Sequence, residues 1–381
     1  LKFDRAAKLI TDLPDDQTTL LLGPPGIGKT ALAKHVGQLM GDVWAKRKSA
    51  DEQKSMSEQQ YHHVDPTPIV EVRDLCSHLP EDLLGLPWRD NDVTHYCPQT
   101  WLARLCQPGA VGVLVLDDIA ASAPAIQTAS FQLCLERRAG DHELSPHVKI
   151  ILTANRREDK SGASTLPAAL RNRCWITNIS PDVDEWCAWA GKEKLAPVVP
   201  AYLRYGPDHH STLPKDADEQ GAFATPRTWH KLALAYEAAK RHEAVFDVAA
   251  GLIGTPVATR FAAFCKLRDE LPDPRKILLD PETHLPKPPT EADKLVAVVT
   301  ALAEIAAPWS AESGKQAKEI PELFLKAVAH VSQKQREYAS AGLLTYASNG
   351  GNVTGLVKAA RAHKNDPKFK ELLGHLKKSL M

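Results

Sequence analysis

"LLLGPPGIGKTAL", residues 20–32, decides how this chain is read. An apolar run of leucines stops at Gly23, and the eight positions from Gly23 to Thr30 hold three glycines, two prolines, a lysine and a threonine. Gly23, Gly28, Lys29 and Thr30 fit the spacing G-x-x-x-x-G-K-[ST], set between a strand-like run and a helix-like one. Glycines at those places let the backbone curl until successive N–H groups point inward at phosphate oxygens. The positive end of the following helix adds to that attraction. The stretch Gly23-Pro24-Pro25-Gly26-Ile27-Gly28-Lys29-Thr30-Ala31 is thus the candidate nucleotide-binding loop. Lys29 is placed to reach the β- and γ-phosphates of ATP, and the Thr30 hydroxyl to meet Mg²⁺.

Holding a phosphate is a local matter, whereas cleaving one needs groups from elsewhere. "VGVLVLDDIAASAP" (111–124) reads as a second strand ending in two acids. Asp117 suits support of Mg²⁺ opposite Thr30, and Asp118 the polarisation of an attacking water. A third strand, "VKIILTANRRED" (148–159), ends at Asn155, whose carboxamide can orient that water. Further on, "LPAALRNRC" (166–174) offers Arg171 and Arg173 between a short helical segment and a strand. Neither is expected to reach its own nucleotide, but either can serve a neighbour's, Arg173 being the stronger candidate. "FATPRTWHKL" (223–232) places Arg227 just after a proline at a helix start, a second arginine for the γ-phosphate.

The rest of the chain supplies a frame. Strand-like runs fall at 18–22, 69–73, 111–117, 148–154 and 174–179, with helical patterns such as 31–40 and 125–136 between them. That alternation indicates a mostly parallel sheet wrapped by helices. From Asp182 the pattern is helical, as in "VDEWCAWAGK", "PRTWHKLALAYEAAKRH" and "PVATRFAAFCKLRDEL". Residues 271–293 are too rich in proline for a long helix. The polar stretch 42–65 reads as an insertion, either disordered or an added helix. The division expected is an ATPase core over 1–181, a helical lid over 182–270, a proline-rich linker over 271–290 and a C-terminal helical section over 291–381.

Composition narrows the classes. The 381 residues carry 47 basic and 47 acidic side chains, so neither a nucleic-acid nor a membrane binder of the whole-surface kind is indicated. No apolar run suggests membrane insertion, the amino terminus lacks a signal-peptide pattern, and seven scattered cysteines suit reduced thiols. A cytoplasmic location follows as the expectation. The pairs His62-His63 and His209-His210 are read as surface histidines, since no Cys or carboxylate stands at metal spacing beside them.

Taken together, "GPPGIGKT", "VLVLDD", "TAN", "LRNRC" and "TPRTW" resemble the AAA+ ATPases, and among them the MoxR-type clade. "EVRDLCSHLPEDLLGLP" (71–87) resembles the helix or loop such proteins insert before their third strand. "APAIQTASFQLCLERRAG" (123–140) resembles their helix and hairpin after the acidic strand. The resemblance covers about 15–290. It implies an AAA+ αβα sandwich with a parallel five-stranded sheet, followed by an all-helical lid. It further implies a homo-oligomeric ring, a hexamer, that hydrolyses ATP with Mg²⁺ to remodel a protein client, with a von Willebrand factor A domain partner. Carried onto this sequence, Asn155 is the first sensor, Arg173 the finger and Arg227 the second sensor. Asp118 departs from the glutamate usual there, and the lost methylene predicts slow basal turnover. The competing expectation is a DNA-acting AAA+ motor or loader, for which the tail 356–380 holds seven Lys or Arg against two acids.

Overall fold

The computed structural model describes residues 1–50, 68–159, 165–213, 221–312, 314–333 and 335–363, without side chains at 44–50, 157, 315 and 336. The later part of the 42–65 insertion, His62-His63, residues 160–164 and the tail beyond 363 lie outside them. The chain divides into two compact units, the first built on Leu1–Ser180 and the second beginning at Pro181.

In the first unit, strands β1 (Thr19–Leu22), β2 (Ile69–Asp74), β5 (Gly112–Asp117), β8 (Val148–Ala154) and β9 (Trp175–Asn178) form one sheet. Their order is β2-β5-β8-β1-β9, and every pairing is parallel. The central strands read "GVLVLD" and "VKIILTA", near-continuous apolar runs as expected where both faces are covered. Alternation decides what each face meets. Leu114, Leu116, Ile150 and Leu152 pack in one cluster with Trp101, Leu102, Ile126 and Leu133. Val113, Val115 and Ile151 pack in the other with Ile10, Leu32 and Val36. Each such side chain taken fully from water stabilises the fold by about 1.5–3 kcal/mol. This order and layering make a parallel α/β sandwich, followed along the chain by a helical part.

Element positions follow the sequence expectations closely in the core and depart from them in two places. The helix expected over 31–40 runs from Lys29 to Ala50, because no proline or further glycine interrupts the helix-forming residues after Gly41. It takes up the first part of the stretch read as an insertion. Where 71–87 suggested an inserted helix or loop, β2 gives way to a short helix at Pro80–Leu84 and then a two-stranded ribbon. The ribbon pairs β3 (Leu86–Asp90) with β4 (Val93–Cys97), and Asn91 takes a left-handed φ of 53° at its turn. After the helix Pro124–Glu136 comes the expected hairpin, β6 (Arg138–Ala139) with β7 (His142–Glu143).

The second unit is helical among its described residues. Trp186, Tyr202, Trp229 and Phe261 centre one apolar cluster, and Leu302, Phe324, Leu343 and Tyr346 another. Arg268 of the helix Thr255–Asp269 makes a two-pronged ion pair with Glu304 of the helix Ala292–Ala311, at 3.0 and 2.5 Å. Arg204 donates to Thr345 and Ser348, both at 2.8 Å. The helices expected as lid and as C-terminal section therefore share one unit, rather than standing on either side of a linker. The proline-rich stretch between them folds into short helices, Pro274–Leu279 and Pro281–His284, each started by proline and capped by an aspartate, Asp273 or Asp280. Ala292–Ala311 is long and apolar enough to cross a membrane, an exception to the sequence reading, yet two thirds of its apolar window is covered by neighbouring helices.

His209 and His210 correct the expectation of surface histidines. His209 is half-buried, its Nδ1 2.7 Å from the Tyr202 hydroxyl and its Nε2 3.0 Å from Arg260. His210 is 3% exposed and lies edge-on to Trp186, and burial pushes its pKa down to about 4. A neutral folded imidazole gives its full stability above the unfolded pKa of about 6.5. That contribution is lost as pH falls through the folded value. Between pH 6.5 and 4 the loss should approach about 3 kcal/mol. Urea unfolding at pH 7 and pH 4.5 checks this, because His210→Phe should reduce the dependence by that amount. An unchanged dependence would place it in other groups.

Candidate functional site

Parallel register brings the sequence candidates together. Leu116 lies opposite Leu152 and Leu21 opposite Thr153, so β5, β8 and β1 end side by side at their carboxyl edge. The candidate nucleotide-binding loop leaves β1 there. Gly26 and Gly28 take φ of 75° and 96°, which only glycine adopts without steric cost. A Cβ on Gly23 would come within 2.7 Å of the Ile179 carbonyl oxygen, so the loop can root itself only through a glycine.

Lys29 is 7% exposed, and its ammonium meets three oxygens. It donates to the Gly23 carbonyl at 3.0 Å, the Pro24 carbonyl at 2.9 Å and Asn155 Oδ1 at 2.7 Å. The loop lysine and the candidate first sensor are thus in direct contact, from positions 126 residues apart. Thr30 Oγ1 donates to Asp117, 3.0 Å from Oδ1 and 2.9 Å from Oδ2. Asp118 follows with a left-handed φ of 55°, a conformation that a short polar side chain tolerates better than most.

A residue the sequence reading passed over joins these groups. Thr153, fully buried on β8, donates its hydroxyl to Asp117 Oδ1 and accepts from the Asp118 N–H at 3.0 Å. Its carbonyl accepts from the Ile119 N–H, also at 3.0 Å. The signal was present, since in "ILTAN" Thr153 stands two residues before Asn155 and hence on the same strand face. Among apolar strand residues, however, a threonine reads as ordinary β-branched filling.

The edge is acidic. Asp74 lies opposite Asp117 at the end of β2, and Asp118 is next in line. Cys76 reports that field: its Sγ is 3.9 Å from the Asp118 carbonyl oxygen. Burial first, then the charges of Asp74, Asp118 and Asp117, push its thiol above the ordinary range. A hydroxyl beside carboxylate oxygens is the donor set of a hard divalent cation. Thr30 and Asp117 would suit Mg²⁺, which when bound would supply positive charge against a phosphate.

The arginines lie elsewhere. Arg171 ends the short helix Ala168–Arg171, Arg173 follows it, and both are exposed. Trp175, at the start of β9, is level with Thr19, whereas the loop begins at Gly23. Arg173 therefore sits at the amino edge of the sheet, separated from its own loop by roughly 13 Å of strand at ~3.3 Å per residue. Arg227 is exposed in the second unit, beside Pro226 at the start of the helix Pro226–Arg241, which Thr225 caps.

Sheet order and site together define a wrapped parallel α/β unit whose candidate nucleotide-binding loop lies at the carboxyl edge of the sheet. No family model matches the chain, and no curated protein sequence matches it. Among solved structures it is similar to NtrX from Brucella abortus at 12% identity and TM-score 0.36, covering 94% of this chain and 67% of that one. A RuvB mutant from Thermotoga maritima is similar at 15% identity and TM-score 0.35, with 78% of each chain covered. DnaA bound to AMPPCP and single-stranded DNA is similar at 15% identity and TM-score 0.28, over 99% of this chain and 90% of that one.

Proposed function

We propose that this chain binds ATP with Mg²⁺ and hydrolyses it at a seam between subunits. The observation that carries the reading is the pair of hydrogen-bonded sets side by side at the carboxyl edge, Lys29 with Asn155 and Thr30 with Asp117 and Thr153. Gly23 to Ala31 wrap the phosphates, with Lys29 supplying charge. Thr30 and Asp117 hold the ion. Asp118 draws a proton from the attacking water, and Asn155 orients that water. Arg173 reaches a neighbouring subunit's nucleotide, with Arg171 beside it, and Arg227 approaches the γ-phosphate from a helical lid.

Within that reading, we take the chain as a MoxR-type AAA+ ATPase, a cytoplasmic hexameric ring that remodels a protein client. A von Willebrand factor A domain protein is its expected partner. Support for the clade comes from the sequence runs quoted above and from the hairpin that follows the helix Pro124–Glu136. The DNA-acting alternative draws on the basic tail alone. Binding to labelled duplex and single strands across a salt series separates the two, because steep salt-dependent affinity would favour the DNA reading.

Phosphate release measured over a protein dilution series, with mass measured in parallel, tests the central claim. Turnover per subunit should be low when dilute and rise with assembly. Asp118→Asn should abolish it by about 10²-fold or more while nucleotide still binds. A full rate from isolated subunits would reject the seam, and no turnover in any condition would reject hydrolysis.

A further inference from the structure

The strongest unassigned feature of the molecule is the hydroxyl of Thr153. One buried oxygen touches two consecutive residues with different expected tasks: the Asp117 carboxylate and the Asp118 backbone N–H. The Thr153 carbonyl holds a third, Ile119. Thr30 also donates to Asp117, so that carboxylate is gripped from the loop on one side and from β8 on the other. Asp118 needs such an anchor, because its left-handed backbone directs the chain away from the strand course immediately after Asp117. A hydroxyl is the one small group that can donate to a carboxylate and accept from an amide at once. Valine, of the same shape, can do neither.

We infer that Thr153 is a positioning residue that sets the Asp117 carboxylate for the divalent cation and fixes the backbone of the general base Asp118. This rests on the hydrolytic reading above. Thr153 touches neither phosphate nor water in this role and acts only through the two acids. Partners of this outer kind typically govern metal affinity or activity by 10–100-fold on the order of magnitude.

The test compares full-length wild type, Thr153→Val and Thr153→Ser. Three quantities are read: affinity for a fluorescent ATP analogue in EDTA, the Mg²⁺ concentration that half-saturates the change in its binding, and kcat against KM. In Thr153→Val, EDTA affinity and KM should stay within about threefold of wild type. Half-saturation by Mg²⁺ should rise about tenfold and kcat fall about 30-fold. Thr153→Ser, which keeps the oxygen, should recover most of both. Should the valine variant fail to fold, Thr153→Ala is judged on the same readings. Wild-type Mg²⁺ dependence and kcat in the variant without the hydroxyl would overturn the assignment. So would an equal loss of EDTA binding, or no recovery with serine, since either marks Thr153 as packing only. If wild type hydrolyses no ATP, the functional reading fails, and the Mg²⁺ titration alone decides the role of Thr153.

Discussion

Arg173→Ala should lower ATP turnover of the assembled protein by roughly 10³–10⁵-fold while leaving ATP affinity nearly unchanged. The magnitude follows from what an arginine supplies to phosphoryl transfer: charge neutralisation that matters most as the γ-phosphate departs. The location follows from the sheet. Arg173 is exposed at the amino edge, and its own loop opens at the other end of β1. On the seam reading, an arginine so placed is expected to act on another subunit's nucleotide. Mixing therefore gives a sharper reading than the single variant. Arg173→Ala subunits keep an intact loop, and Lys29→Ala subunits keep an intact arginine. Each preparation alone should be inactive, whereas mixed assemblies should regain part of the wild-type rate. If mixing restores nothing although the two co-assemble, Arg173 does not serve a neighbour's site.

The second large effect belongs to Lys29. Lys29→Ala should weaken ATP binding by about 10²-fold or more, because a hydrogen-bonded charge is removed from a nearly dry pocket. The loss has two parts. Phosphate charge goes unneutralised, and three oxygens, on Gly23, Pro24 and Asn155, lose their shared donor. Lys29→Arg should not repair the defect. A planar guanidinium cannot occupy the point at which those three acceptors converge. Equilibrium titration with labelled ATP reads both variants, and tight binding by the alanine form would remove the phosphate role assigned to this loop.

Much of the core was legible in sequence because the signal there is local. Strand β8 occupies the residues its apolar run marks, 148–154, and β5 begins one residue later than expected. The site candidates gather for a similar reason, since the loop and the acids and asparagine all follow strand ends and parallel strands end on one edge. The ribbon β3–β4 was harder to read. Its residues are mostly exposed, so "LPWRD" and "VTHYC" carry no buried face to impose a clear alternation. His210 misled for the opposite reason. Turn-like neighbours suggested a surface, but Trp186, from another helix, covers its ring.

By itself, the sequence determined the parallel, helix-wrapped α/β class and marked the candidate loop, acids and asparagine that follow the strand ends. These depend on spacing within a few residues and on apolar runs long enough to bury both faces of a sheet. Only the tertiary structure decided that Thr153 joins the two acids and that Lys29 rests on Asn155. It also decided that the last described helices share a unit with those after Pro181. Those contacts depend on which strands lie side by side, in what register, and on which helices cover one another. Such choices are made by the packing of the whole unit, and no short window of residues records them.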